Sequence, residues 1–101
     1  MLAQNHPNPF NPSTTILFDL PVESYVMLKV FNILGKEVAT LIDGRQEAGY
    51  KTIEFSAEGV SASGGNASTL ASGIYFFRLD ATSVHDPGKS FTQVKKMLLM
   101  K

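Results

Sequence analysis

Apolar residues recur at every second position in this chain, in short runs from one end to the other. That period belongs to strands whose side chains alternate between two faces, and not to the 3.6-residue repeat of an amphipathic helix. In "TTILFDLP", Ile16, Phe18 and Leu20 fall on one face and Leu17 and Asp19 on the other. In "SYVMLKVFN", Val26, Leu28 and Val30 alternate with Tyr25, Met27, Lys29 and Phe31. "KEVATLI" reads as a third strand and "YKTIEF" as a fourth, with Ile53 and Phe55 on one face. "GIYFFRLDAT" is the clearest strand, setting Tyr75, Phe77 and Leu79 against Ile74, Phe76, Arg78 and Asp80. Turn signals separate these runs: Gly35 in "ILGK", Asp43-Gly44 as the exit of the third strand, and Pro87-Gly88 in "HDPGK". The last run, "SFTQVKKMLLM", can be read as a short helix or a strand. The turn before it sets up a hairpin with residues 74–82, so strand is the better reading. Six or seven short strands with frequent turns predict an all-β antiparallel sandwich.

The first strand follows an unusual lead-in. The stretch "NHPNPFNPSTTILFDLP" holds four prolines, and its stiff part carries one large apolar residue, Phe10, between two Asn-Pro pairs. Each proline fixes φ, removes a donor and biases the residue before it toward extended conformations. The segment therefore has little entropy to lose on docking, and Phe10 is the residue able to anchor it at one end of the sandwich. Asn8 and Asn11 can satisfy nearby backbone groups. The expected division is a proline-rich lead-in over 1–12, the end of a linker, and a sandwich over 13–101. Met1 reads as an added start, and the chain is expected to sit behind a larger protein.

A chain of 101 residues has room for one domain. Its formal net charge is zero, so general attraction to nucleic acid or an acidic membrane is not expected. The charge is uneven: residues 89–101 contain Lys89, Lys95, Lys96 and Lys101 and no acid. There is no cysteine, which excludes disulfides and zinc-thiolate sites. No apolar run approaches the ~18 residues of a membrane span, and no basic-then-apolar signal peptide opens the chain. Residues 56–73, "SAEGVSASGGNASTLASG", read as a long loop, an insertion tolerated at the sandwich edge.

Catalytic chemistry finds no constellation here. His6 and His85 stand in the lead-in and in a turn, in no metal-ligand spacing. The serines of "ASGG" and "LASG" have no base beside them in sequence. Asp43, Asp80 and Asp86 lack the density of a calcium loop and read as turn residues. No catalytic residue, metal ligand or cofactor site is predicted, and the chain is not expected to be an enzyme. A carbohydrate-binding module is a weak alternative, because such sites need exposed aromatics and there is no Trp. Tyr25, Phe31 and Phe76 are as easily the second face of a buried sheet. The cationic end "QVKKMLLMK" has two readings. It is an edge strand protected by lysines, or a signal gripped by charge and strand addition.

Five stretches occur in a telling order: "NHPNPFNPSTTILFDLP", "VFNILGKEVATLIDG", "AGYKTIEFSA", "LASGIYFFRL" and "TQVKKMLLMK". Together they resemble the C-terminal sorting domain of the type IX (Por) secretion system, which is similar in turn to the immunoglobulin-like domain of the flagellar hook-capping protein. Segment 56–73 is where the chain departs from that family's shorter, more polar connection. The resemblance implies a seven-stranded immunoglobulin-like sandwich that carries an N-terminal cargo, often a hydrolase or adhesin, across the outer membrane to the cell surface by way of the periplasm. It implies as partners a shuttle protein, the translocon and a sortase-like peptidase, with no nucleic acid and no membrane insertion. Pairing of edge strands into a dimer stays open. On this chain the family's recognition elements fall at Gly73, Tyr75 and Arg78 and at Lys95, Lys96 and Lys101. The lead-in element falls at Asn8, Pro9, Phe10, Asn11 and Pro12. Lys95 or Lys96 is expected to point outward, with Leu98 or Met100 inward. The competing reading is a purely structural module, a spacer or hook-capping type.

Overall fold

The computed structural model describes residues 1–57 and 70–100. Six strands follow one another: β1 (Ser13–Leu20), β2 (Ser24–Asn32), β3 (Glu37–Gln46), β4 (Gly49–Ser56), β5 (Gly73–Ser83) and β6 (Ser90–Leu99). They form two antiparallel sheets, β1-β4 and β3-β2-β5-β6, facing each other as a sandwich. The alternating positions supply the layer between them. Ile16, Phe18 and Leu20 from β1 meet Val26, Leu28 and Val30 from β2, Phe77 and Leu79 from β5 and Met97 and Leu99 from β6, all buried. Directly opposite residues of antiparallel neighbours share a face, so β6 inherits its inward face from β5: Tyr75 stands opposite Met97 and Phe77 opposite Lys95.

Three expectations change. The strands number six among the described residues and not seven. The place of a further strand is taken by the lead-in, which is held by isolated bridges: Leu2 to Phe18 and His6 to Thr15, both antiparallel, and Phe10 to Leu99, parallel. Nor is the lead-in one extended segment. Met1–His6 lie along β1, and the chain then crosses so that Phe10 lies along β6. Proline has no N–H to give to a ladder, so four such positions between Asn5 and Pro21 limit the lead-in to scattered bonds. The His6-Pro7, Asn8-Pro9 and Asn11-Pro12 peptide bonds are cis.

The third change concerns Asp43-Gly44. It does not turn the chain. Asp43 stays opposite Met27 and Gly44 opposite Val26, so β3 runs on to Gln46. The ladder offered by the nine-residue β2 outweighs the local turn preference of the pair. The chain leaves at Glu47 and Ala48, and Gly49 opens β4 in the other sheet. The β2–β3 turn does use its glycine. Gly35 has φ +83°, and the Asn32 Oδ1 accepts from the Leu34 and Lys36 amides at 3.0 Å each. Residues 58–69, which hold most of the loop read from 56–73, lie outside the described residues.

Candidate functional site

β6 and the lead-in meet along one edge of the larger sheet, and most of the residues singled out from the sequence gather there. Phe10 is 2% exposed, its ring set edge-on to Phe55 with centroids 6.2 Å apart. Its N–H donates to the Leu98 carbonyl and its carbonyl accepts from the Met100 N–H, both at 3.0 Å. Asn8 extends this contact by side chain, its Oδ1 accepting from the Leu98 N–H at 2.9 Å. Pro9 and Asn11 are exposed, and Pro12 is half-buried with its carbonyl accepting from the Ala57 N–H at 2.9 Å.

A second anchor lies upstream, with no signal for it in the residue pattern. Asn5 is 2% exposed, and its polar atoms are satisfied locally. Its Nδ2 donates to the Pro7 carbonyl at 3.1 Å and to Thr14 Oγ1 at 3.0 Å, and its Oδ1 accepts from Gln4 Nε2 at 2.7 Å. Gln4 Nε2 also donates to the Lys96 carbonyl at 2.7 Å, and the Leu2 N–H donates to Gln93 Oε1. These partners lie some ninety residues apart, so no spacing rule could have paired them.

On β6 the alternation places Met97 and Leu99 inward, both buried, and Lys96, Leu98 and Met100 outward. This corrects the expectation that Leu98 or Met100 faces the core. A period of two puts Lys96, Leu98 and Met100 on one face, and the pairing with β5 makes it the outer one. Lys95 has the parity of the inward face, is half-buried, and stands opposite Phe77. Neither Lys95 nor Lys96 has an ion pair among the described residues. Lys101 lies outside them.

Gly73, Tyr75 and Arg78 sit on β5 but do not converge on one point. Gly73 has φ +152° and stands opposite Leu99. Tyr75 faces the core, where its hydroxyl donates to the Ala71 carbonyl at 2.7 Å and burial raises its pKa above the usual tyrosine value. Arg78 faces out. Its Nε donates to Asp80 Oδ2 at 2.9 Å, and its guanidinium carbon lies 4.9 Å from the centre of the Phe31 ring. Asp80 Oδ1 accepts from Thr92 Oγ1 at 2.6 Å, tying Arg78 to β6. Phe31 and Phe76 are half-buried on this outer face and Tyr25 is exposed, so it is not the second face of a buried sheet. Among the described residues no group of His, Asp or Glu is placed to hold a metal ion.

Residues 5–96 match the model of a protein family described as the secretion system C-terminal sorting domain. The chain belongs to that family. Its members are C-terminal sorting domains of type IX secretion. A similar solved structure is the dimeric latent PorU of Porphyromonas gingivalis, with a TM-score of 0.69 at 19% identity. The similarity covers 98% of this sorting domain and 9% of the PorU chain, and at that identity it speaks for the fold alone. No curated protein matches the chain.

Proposed function

We propose that this sorting domain directs an N-terminal cargo through the periplasm and across the outer membrane by engaging a shuttle protein and the type IX translocon, and that a sortase-like peptidase acts on the chain ahead of the lead-in. The family match over residues 5–96 carries this reading. The build of the C-terminal strand supports it. Met97 and Leu99 hold β6 in the core, while Lys96 is displayed on its outer side without an ion pair among the described residues. The signal residues are Lys95, Lys96 and Lys101, with Gly73, Tyr75 and Arg78 on the neighbouring strand. Asn8 to Pro12 fix where the fold begins.

The sandwich is of the immunoglobulin-like kind. Strand order supports this: β1 pairs β4 in one sheet, and β2, β5 and β6 are neighbours in the other. These correspond to strands B and E against C, F and G, with the lead-in in the position of the first strand.

The test is delivery of a folded reporter, bearing a signal peptide, fused ahead of residues 2–101 in a host with a type IX system. The parent fusion reaches the surface, and the Lys96→Ala/Lys101→Ala fusion is retained. Truncation of residues 97–101 is the wrong comparison, because it strips the buried Met97 and Leu99 from the core. Retention of the parent fusion inside the cell would mean a structural module that shares the fold.

A further inference from the structure

The lead-in covers only part of the outer edge of β6. Leu98 turns both its backbone groups outward, to Asn8 and Phe10. Along a strand those groups alternate in direction, so the backbones of Thr92, Val94 and Lys96 point outward as well. The Lys96 carbonyl is taken by Gln4. The outward N–H and C=O groups of Thr92 and Val94, and the Lys96 N–H, have no partner among the described residues. A row of open backbone groups is a template for another strand. This one borders an apolar groove of about 280 Å³ whose lining includes Phe31, Ile33, Phe76, Arg78 and Val94. Val94, 53% exposed, belongs to both the edge and the groove.

We propose that the edge of β6 from Thr92 to Lys96 is a docking site for an extended, acidic and apolar segment of a partner protein, which joins the larger sheet as a further strand. The inference rests on the sorting reading and deepens it. Three observations point to this occupant. The same edge already takes up extended backbone, since Phe10 forms a parallel bridge with Leu99. Residues 89–101 carry four lysines and no acid, so carboxylates on the incoming strand are favoured. The groove beside Val94 is lined by Phe31, Ile33 and Phe76 and so suits an apolar side chain; in strand addition such pockets provide specificity while main-chain bonds provide affinity. A second copy of this chain is disfavoured, because it would bring its own acid-free lysine segment against the first.

The experiment uses the reporter fusion and three variants. Val94→Pro removes an outward N–H that makes no bond to β5, a position where an edge strand tolerates proline. Thr92→Pro does the same two residues earlier, and Val94→Asp sets a carboxylate on the groove, against the acidic strand, without touching a signal residue. Thermal unfolding of each purified domain identifies the variants that fold. Each folded variant is expected to lower surface delivery by about tenfold or more, as loss of one productive contact does. Folded proline variants delivered as well as the parent would overturn the docking edge while leaving the sorting reading intact. If neither proline variant folds, Val94→Asp decides: parental delivery overturns the docking edge, and a loss supports it. Retention of the parent overturns the sorting reading and the docking edge with it.

Discussion

Phe10 shows how one residue turns a linker into part of a fold. Its ring is 2% exposed and its backbone bonds on both sides to the end of β6. Phe10→Ala removes that burial and leaves a cavity against Phe55, with an expected loss of more than ~2 kcal/mol. Urea denaturation checks this, and a loss below ~0.5 kcal/mol would mean that the ring is not a structural anchor. Gly73 makes the complementary case. At φ +152° an L side chain is strained, although a Cβ there would meet nothing within 4 Å. Gly73→Ala is therefore expected to lower stability by roughly 1 kcal/mol through backbone strain and not through a clash. An unchanged unfolding midpoint would remove that account.

At the scale of elements, ion pairs clip the corners. Glu23, in the β1–β2 corner, accepts from Arg45 Nε of β3 at 2.8 Å and from Arg45 Nη2 at 3.3 Å. His85, in the β5–β6 turn, approaches it to 3.3 Å. The Arg45 hydrogen bond holds the Glu23 carboxyl below its usual range against the opposing effect of desolvation, with smaller contributions from the Arg45 charge and from His85. Because the folded value lies below the unfolded one, the clip's contribution is present above the ordinary value of 4.5 and is lost as pH falls through the folded value. The unfolding midpoint of Glu23→Gln is therefore expected to change less than the parent's between about pH 7 and about pH 3. Parallel curves would show that the clip contributes nothing. Concentrated salt should narrow the same difference, since these groups are exposed.

For the whole molecule, the lead-in is the piece that joins the two sheets. It pairs with β1 in one and β6 in the other, and it adds Leu2 and Phe10 to the core. Burial of two such side chains is worth roughly 3–6 kcal/mol, a large share of the ~5–15 kcal/mol typical of a domain. A chain starting at Ser13 is therefore expected to lose cooperative unfolding and dispersed amide resonances, whereas removal of Met1 alone is tolerated. A cooperative Ser13–Lys101 fragment would show that the lead-in is only a linker.

The sequence by itself determined the strands, because alternation is a local property: Ile16, Phe18 and Leu20, or Tyr75, Phe77 and Leu79, declare one face without reference to a partner. It also carried the family in five ordered motifs, and Phe10 as the lead-in's anchor. Tertiary structure decided what depends on neighbours far along the chain. Asp43-Gly44 stayed in a strand because β2 offered a ladder there. Leu98 and Met100 faced out because β5 set the register of β6. Asn5 could be buried only where Gln4, Pro7 and Thr14 met it. Among the described residues, the edge at Thr92 and Val94 is left open because the lead-in, docked from ninety residues away, stops short of it.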